Sequence, residues 1–415
     1  MNTFLIKEDG FVSDESILHA LIAVLSQRQL RRVLILPPDI TRAHSYGGVV
    51  TKMLYDYLVG RDCTVDIMPA LGTHVALTPD ELDTMYGGIP HNRFIVHDWK
   101  NDCEQIGTVP AAYVSELSEG LFNGDIPVEI NRRILDPTYD LVLSVGQVVP
   151  HEIVGMANYN KNLFVGCGGN AMINASHYLG ALYGMERIMG RDHTPLHRLF
   201  DYAHSHFLKD IPLLFVLTVT TPGRDGVNVE CVSIGDDRAT FEKAVAVSQE
   251  KNIIYIDKPV RKAVVHLDPV EFKRTWLGNK AIYRTRMCIE DGGELLIMAP
   301  GLISCGEDPE NDRLLKKYGY VTRDEIRALA ASNEDLADNL SVAAHIIHSS
   351  PEKRFRVTYA PIHMTKDQIE SINYGYMPYD KAAALYPPDQ MEPGFNTVNG
   401  EEVYFIPNPA RGLWA

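Results

Sequence analysis

No run of apolar residues in this chain approaches the length of a membrane span. The opening MNTFLIKEDGFVSDES carries acidic residues where a secretory leader would have its apolar core. A cytoplasmic protein is therefore expected. Cysteine is sparse: the six residues Cys63, Cys103, Cys167, Cys231, Cys288 and Cys305 form no CxxC pair and no zinc-site spacing. A disulfide framework is excluded, and buried free thiols are expected. Positive charge is in deficit. The formal net charge is -15, which removes any global attraction to nucleic acid or to an anionic membrane. A small anion remains a possible ligand wherever Arg and Lys cluster locally. Familiar motifs are also missing. There is no Walker A sequence, no GxSxG elbow and no HExxH. The Gly-Gly pairs at 87–88, 168–169 and 292–293 do not form GxGxxG after a strand. An ordinary dinucleotide enzyme is disfavoured, although the layout of the chain would suit one.

A chain of 415 residues is too long for one compact core, so two domains are expected. Apolar runs at Val33–Leu36, Thr64–Met68, Arg93–His97, Leu141–Val145, Leu213–Val219 and Ile253–Ile256 read as strands, with a helical pattern over Tyr46–Leu58. This alternation predicts an α/β fold with a doubly wound, mostly parallel sheet in an N-terminal domain over residues 1–258. A smaller C-terminal α/β domain is expected over residues 259–415. Its predicted parts are a strand at Lys262–Leu267, a helix opened by Asp268-Pro269 and carrying Phe272, Trp276 and Lys280, and a strand at Glu294–Ala299. Helices follow at Arg323–Ser332 and Leu336–His348, and an irregular surface tail starts at Pro387. The active site is expected in the cleft between the domains.

Four polar clusters stand out. Asp39-Ile40-Thr41-Arg42 follows a strand directly, where α/β proteins place ligands. Asp39 is either a cap or an acceptor for ribose hydroxyls, and Arg42 is either a solvated cation or a fork for phosphate or carboxylate. Gly72-Thr73-His74 also follows a strand, and its imidazole suits proton transfer near neutral pH. The third cluster, PHEIVGMANYNKNLFVGCGGNAMINASH, holds His151, Lys161 and His177. A lysine amine can act as a nucleophile or bear a covalent cofactor, and a neutral imidazole is a common metal ligand. The bland alternatives are a surface lysine and, for His177, a residue at a helix start capped by Ser176. In the fourth, TWLGNKAIYRTR, Lys280 and Arg284 share a helix face and Arg286 lies just beyond. Such a face binds a carboxylate or is simply solvated.

The ordered set Asp39-x-Thr41-Arg42, Gly72-Thr73-His74, Pro150-His151, Lys161 ten residues on, and His177 resembles the lactate racemase family. The likeness runs from the Asp39 loop through Lys280, about two-thirds of the chain. It implies a nickel-pincer nucleotide, a pyridinium mononucleotide holding Ni through sulfur and carbon and joined covalently to Lys161, with His177 as the nickel ligand. Asp39 and Arg42 would hold the nucleotide or the anionic end of the substrate. The implied reaction inverts C2 of a 2-hydroxy acid by reversible hydride transfer, with His74 and His151 exchanging the hydroxyl proton. Lys280, Trp276, Arg284 and Arg42 would bind substrate. Separate biosynthetic enzymes would supply the cofactor.

Two departures from the family matter. Asn158-Tyr159-Asn160 stands where members often have Gly-Gly before the lysine. The cationic TWLGNKAIYRTR stretch, with Asn279, Arg284 and Arg286, suggests a substrate larger than lactate: a sugar acid such as gluconate, or a malate-like acid. The competing expectations are lactate racemase proper, a cofactor-free carboxylate-binding protein on the same scaffold, and a zinc hydrolase.

Overall fold

The computed structural model describes residues 2–7, 10–223 and 226–415. The chain divides into two compact units: Met1–Leu179 with Ile188–Asn252, and Gly180–Arg187 with Ile253–Ala415.

In the first unit, a six-stranded sheet runs in the order Thr3–Ile6, Gly226–Gly235, Leu213–Gly223, Leu141–Gln147, Arg32–Leu36, Thr64–Ile67. The last four of these strands are mutually parallel, Gly226–Gly235 pairs antiparallel with Leu213–Gly223, and Thr3–Ile6 pairs antiparallel with Gly226–Gly235. Both faces are covered. Leu34, Leu36 and Val142 enter one apolar cluster, while Val33, Ile35, Leu141 and Leu143 enter the other. Side chains alternate across a strand, so a strand buried on both faces reads as an unbroken apolar run. That is why VLIL and LVLSV are visible in the sequence. Pro37 and Pro38 stop the first run because they lack the N–H a ladder needs.

Arg93–His97 is not a strand. Only Phe94 bridges to Ile67, and then Asp98 accepts from the backbone N–H groups of Lys100 and Asn101 and curls the chain away.

The second unit has its own six-stranded sheet, ordered Gly375–Tyr376, Arg356–Pro361, Ile289–Ala299, Val260–His266, Glu401–Ile406, Gly394–Val398. All neighbours are parallel except the last pair. The tail is therefore not irregular. Asn399 and Gly400, both at positive φ, make the tight turn of a hairpin, and Val403, Tyr404, Phe405 and Ile406 are buried in the sheet. The Ile253–Ile256 run contributes only Ile253–Ile254, paired with Leu413–Trp414.

The helix expected from Asp268 begins later. Asp268 accepts from Val270 and Glu271 N–H in a local turn, and helices then span Thr275–Gly278 and Lys280–Thr285 with a break at Asn279. Leu336–His348 is likewise two helices, Glu334–Ala337 and Leu340–Ser349, because Asn339 caps the second. Among the described residues, no helix is long and apolar enough to cross a membrane.

Candidate active site

Three strand ends of the first sheet carry the polar loops. After Arg32–Leu36, a short 3-10 helix at Ile40–Ser45 presents Thr41 and Arg42, with Asp39 at its start. After Thr64–Ile67, Gly72 turns the chain at φ +56, and its N–H donates to the Gly166 carbonyl at 2.8 Å. That bond joins the His74 loop to the turn that follows Lys161. After Leu141–Gln147 comes a two-residue strand, Pro150–His151, paired with Gly155–Met156.

Lys161 opens a π-helical turn, Asn162–Gly166, a form common at functional sites. The turn is pinned from below: Asn162 donates to the Leu36 carbonyl at 3.2 Å and to Ser144 Oγ at 2.9 Å. Just before the lysine, Asn158 and Tyr159 both adopt positive φ, at +69° and +56°. The departure from Gly-Gly therefore keeps a path that glycines would follow without strain. Asn158 Oδ1 accepts from the Tyr159 N–H at 2.7 Å, and the Tyr159 ring is buried against Phe215 and Phe241, with centroids at 4.5 and 5.1 Å. Gly146 leaves room for this loop, since a Cβ there would lie 2.0 Å from Asn158 Nδ2.

His74 Nδ1 lies 2.5 Å from Asp39 Oδ2. The imidazole is half-exposed and the carboxylate is buried. Burial alone would raise the Asp39 pKa. Hydrogen bonds from His74 and Thr41, with the nearby charges of His74 and Arg42, outweigh it and hold the carboxyl below its ordinary range. In the neutral ring, an ionised Asp39 holds the His74 hydrogen on Nδ1, which leaves Nε2 as a base.

His151 is oppositely set. Its Nδ1 accepts from the Ile153 N–H at 3.2 Å, so in the neutral ring Nε2 carries the hydrogen. Burial, and next the charge of Lys161, push its pKa well below the ordinary value.

Burial also lowers the Lys161 amine to about 8, helped by the charge of Arg42 and opposed by Glu152 and Asp39. His177 falls to about 4, chiefly through burial and then Lys161. It is not at a helix start. It lies inside the helix Asn170–Tyr183, where its Nδ1–H donates to the Ile173 carbonyl at 2.7 Å, and Ser176 bonds to that same carbonyl instead of capping.

Asp39, Arg42, His74, His151, Lys161 and His177 thus form one electrostatically linked cluster. Glu152 belongs to it as well, acting on His151, Lys161 and His177. Sequence reasoning passed it over, although it directly follows His151.

Lys280, Trp276 and Arg284 belong to the second unit. Trp276 stacks on His345, with centroids 4.0 Å apart, and Arg284 is buried. Two residues that suggested a larger substrate are structural. Arg286, 2% exposed, is paired with Glu186 at 2.7 Å and donates to the His348 carbonyl. Asn279 is buried and accepts from the Tyr359 hydroxyl at 2.7 Å.

Fold and site together define an α/β protein whose acid–base groups gather at the C-terminal ends of a parallel sheet. Residues 17–188 match the lactate racemase N-terminal domain, a likeness that supports the lactate racemase family for that part of the chain. In fold, the whole chain is similar to a crystal structure of a Thermotoga maritima protein (TM-score 0.81, 24% identity, 99% of each chain covered). It is also similar to the lactate racemase apoprotein of Thermoanaerobacterium thermosaccharolyticum (TM-score 0.73, 18% identity, 98% of this chain and 94% of that one). No functionally curated protein matches in sequence.

Proposed function

We propose that the protein is an isomerase that inverts C2 of a 2-hydroxy acid with the help of a nickel-pincer nucleotide. The observation that carries this reading is the state of Lys161 and His177 inside a lactate racemase domain. An amine lowered to about 8 has a neutral, nucleophilic fraction of about a tenth to a fifth near pH 7, far more than an ordinary lysine, and can be acylated. An imidazole that donates Nδ1–H to a carbonyl presents its Nε2 lone pair, as metal-ligating histidines do. These residues fit the group: Lys161 would hold it covalently and His177 would ligate nickel. When bound, it would supply a reversible hydride acceptor.

The other steps fall to the chain itself. Asp39 orients His74, and His74 Nε2 takes the proton of the substrate hydroxyl. His151 serves the opposite face. For Lys280, Trp276 and Arg284, support for a substrate role comes from the motif spacing in the sequence. With Arg286 and Asn279 committed to structure, the case for a sugar acid or malate-like substrate over lactate rests on Arg284.

The test is the intact mass and nickel content of protein co-expressed with pincer-synthesis enzymes, for wild type and Lys161→Ala, followed by a screen of lactate, malate and aldonates. An adduct with stoichiometric nickel, absent from the variant, is expected. Active protein with neither adduct nor nickel would reject the assignment and favour a cofactor-free protein.

A further inference from the structure

The second unit contains a cavity of about 560 Å³ that none of Asp39, His74, His151, Lys161 or His177 lines. Its polar lining holds three guanidinium groups, Arg286, Arg323 and Arg354, against two carboxylates, Glu186 and Glu352. Glu186 is shared by Arg286 at 2.7 Å and Arg354 at 3.3 Å. Glu352 accepts from the backbone N–H of Arg323 at 2.8 Å.

Arg323 is the incompletely satisfied member. One of its terminal nitrogens donates to the Leu182 carbonyl at 3.2 Å, but its buried Nε donates to nothing among the described residues. The carboxylate it meets through Nε, Asp324, lies at 3.8 Å, beyond hydrogen bonding. Asp324 and Asp291, which reach Arg323 and Arg354 respectively, are each 81% exposed, so solvent screens them. A buried donor without an acceptor is costly, and a ligand oxygen would remove that cost. The remaining wall is mostly apolar, with Met185, Met287 and Ile347 beside His348. Methionines adapt their shape to a varied guest, and the volume is that of a small-molecule site.

We propose that this cavity binds an organic monocarboxylate with an apolar body, its carboxylate on Arg323 and its body against Met185, Met287 and Ile347. One net positive charge in the lining matches one carboxylate. The apolar wall disfavours the hydroxyl-rich acids considered for the strand-end site, so the two sites differ in ligand class.

The test is calorimetric titration of the full-length protein with benzoate, benzyl alcohol and inorganic phosphate. Benzoate is expected to bind at one site per chain, and benzyl alcohol is not expected to bind. Arg323→Ala should weaken benzoate about tenfold or more, the effect of one charge-assisted hydrogen bond. Met287→Trp, which fills the cavity and keeps every arginine, should weaken it comparably, and Arg42→Ala should bind as wild type does. No benzoate binding by wild type would overturn the proposal. So would binding that survives Met287→Trp but is lost in Arg42→Ala, which would assign the ligand to the strand-end site. Binding of phosphate in place of benzoate would overturn the carboxylate class.

Discussion

Lys161→Met should make the unloaded protein more stable at neutral pH. The Lys161 amine drops from its ordinary 10.5 to about 8 because burial, and then Arg42, disfavour its charge. That difference corresponds to roughly 3 kcal/mol of penalty on the charged folded state. Relaxation and water around a part-buried side chain reduce it to about 1–3 kcal/mol. The sign follows from linkage. Between pH 8 and 10.5 the unfolded chain still binds the proton and the folded chain does not, so stability rises with pH across that window. Below it the penalty is complete, and above it the penalty is gone. Methionine keeps most of the stem's volume and carries no charge, so it should raise the urea midpoint at pH 7 and lose the advantage near pH 10.5. The comparison uses wild type against variant at each pH, because other lysines, tyrosines and cysteines titrate in both proteins alike. A variant no more stable than wild type at pH 7, or an advantage that does not shrink at high pH, would refute the reasoning. Acylating Lys161 removes the same charge, so joining it to a cofactor acid would relieve the same penalty.

Asp39→Asn should leave the Lys161 adduct mass and the nickel content unchanged while lowering kcat about a hundredfold or more, because His74 loses the carboxylate that sets its tautomer. His177→Ala should keep the Lys161 adduct and lose nickel, read by intact mass beside metal analysis. Tyr159→Gly relieves a positive φ worth about 1 kcal/mol but removes a buried ring worth about 3–5 kcal/mol, so a net loss of about 2–4 kcal/mol should appear in the urea midpoint.

The strands legible in the sequence were those buried on both faces, such as Leu141–Gln147, because burial of that kind leaves a continuous apolar run. The C-terminal strand Glu401–Ile406 carries its own signal in Asn399-Gly400, but a Pro- and Gly-rich context hid it. Helix breaks at Asn279 and Asn339 were not legible. They depend on caps and tertiary bonds, as when Asn279 accepts from Tyr359 eighty residues away. In the site, His74 and His151 were visible as residue types after strand ends, and Lys161 and His177 through their order in the motif set. Their tautomers were not, since those are set by Asp39, the Ile153 N–H and the Ile173 carbonyl. Cationic runs also misled. Arg286 read as a ligand group, yet it is a buried partner of Glu186, which lies a hundred residues earlier in the chain.

That separation sets a timetable for the chain as it is made. Gly180–Arg187 belongs to the second unit, although the first unit is completed only at Asn252. At roughly 5–20 residues per second, Glu186 leaves the ribosome about 5–20 seconds before Arg286 exists to meet it. Until Ile253 is made, the eight-residue insert has none of its own unit to pack on. Arg286 in turn, 2% exposed when folded, has its counterion only if the insert has waited uncommitted. Neither unit is therefore a contiguous stretch of gene. A fragment beginning at Ile253 would carry a buried guanidinium without its carboxylate, at a cost of about 3–5 kcal/mol.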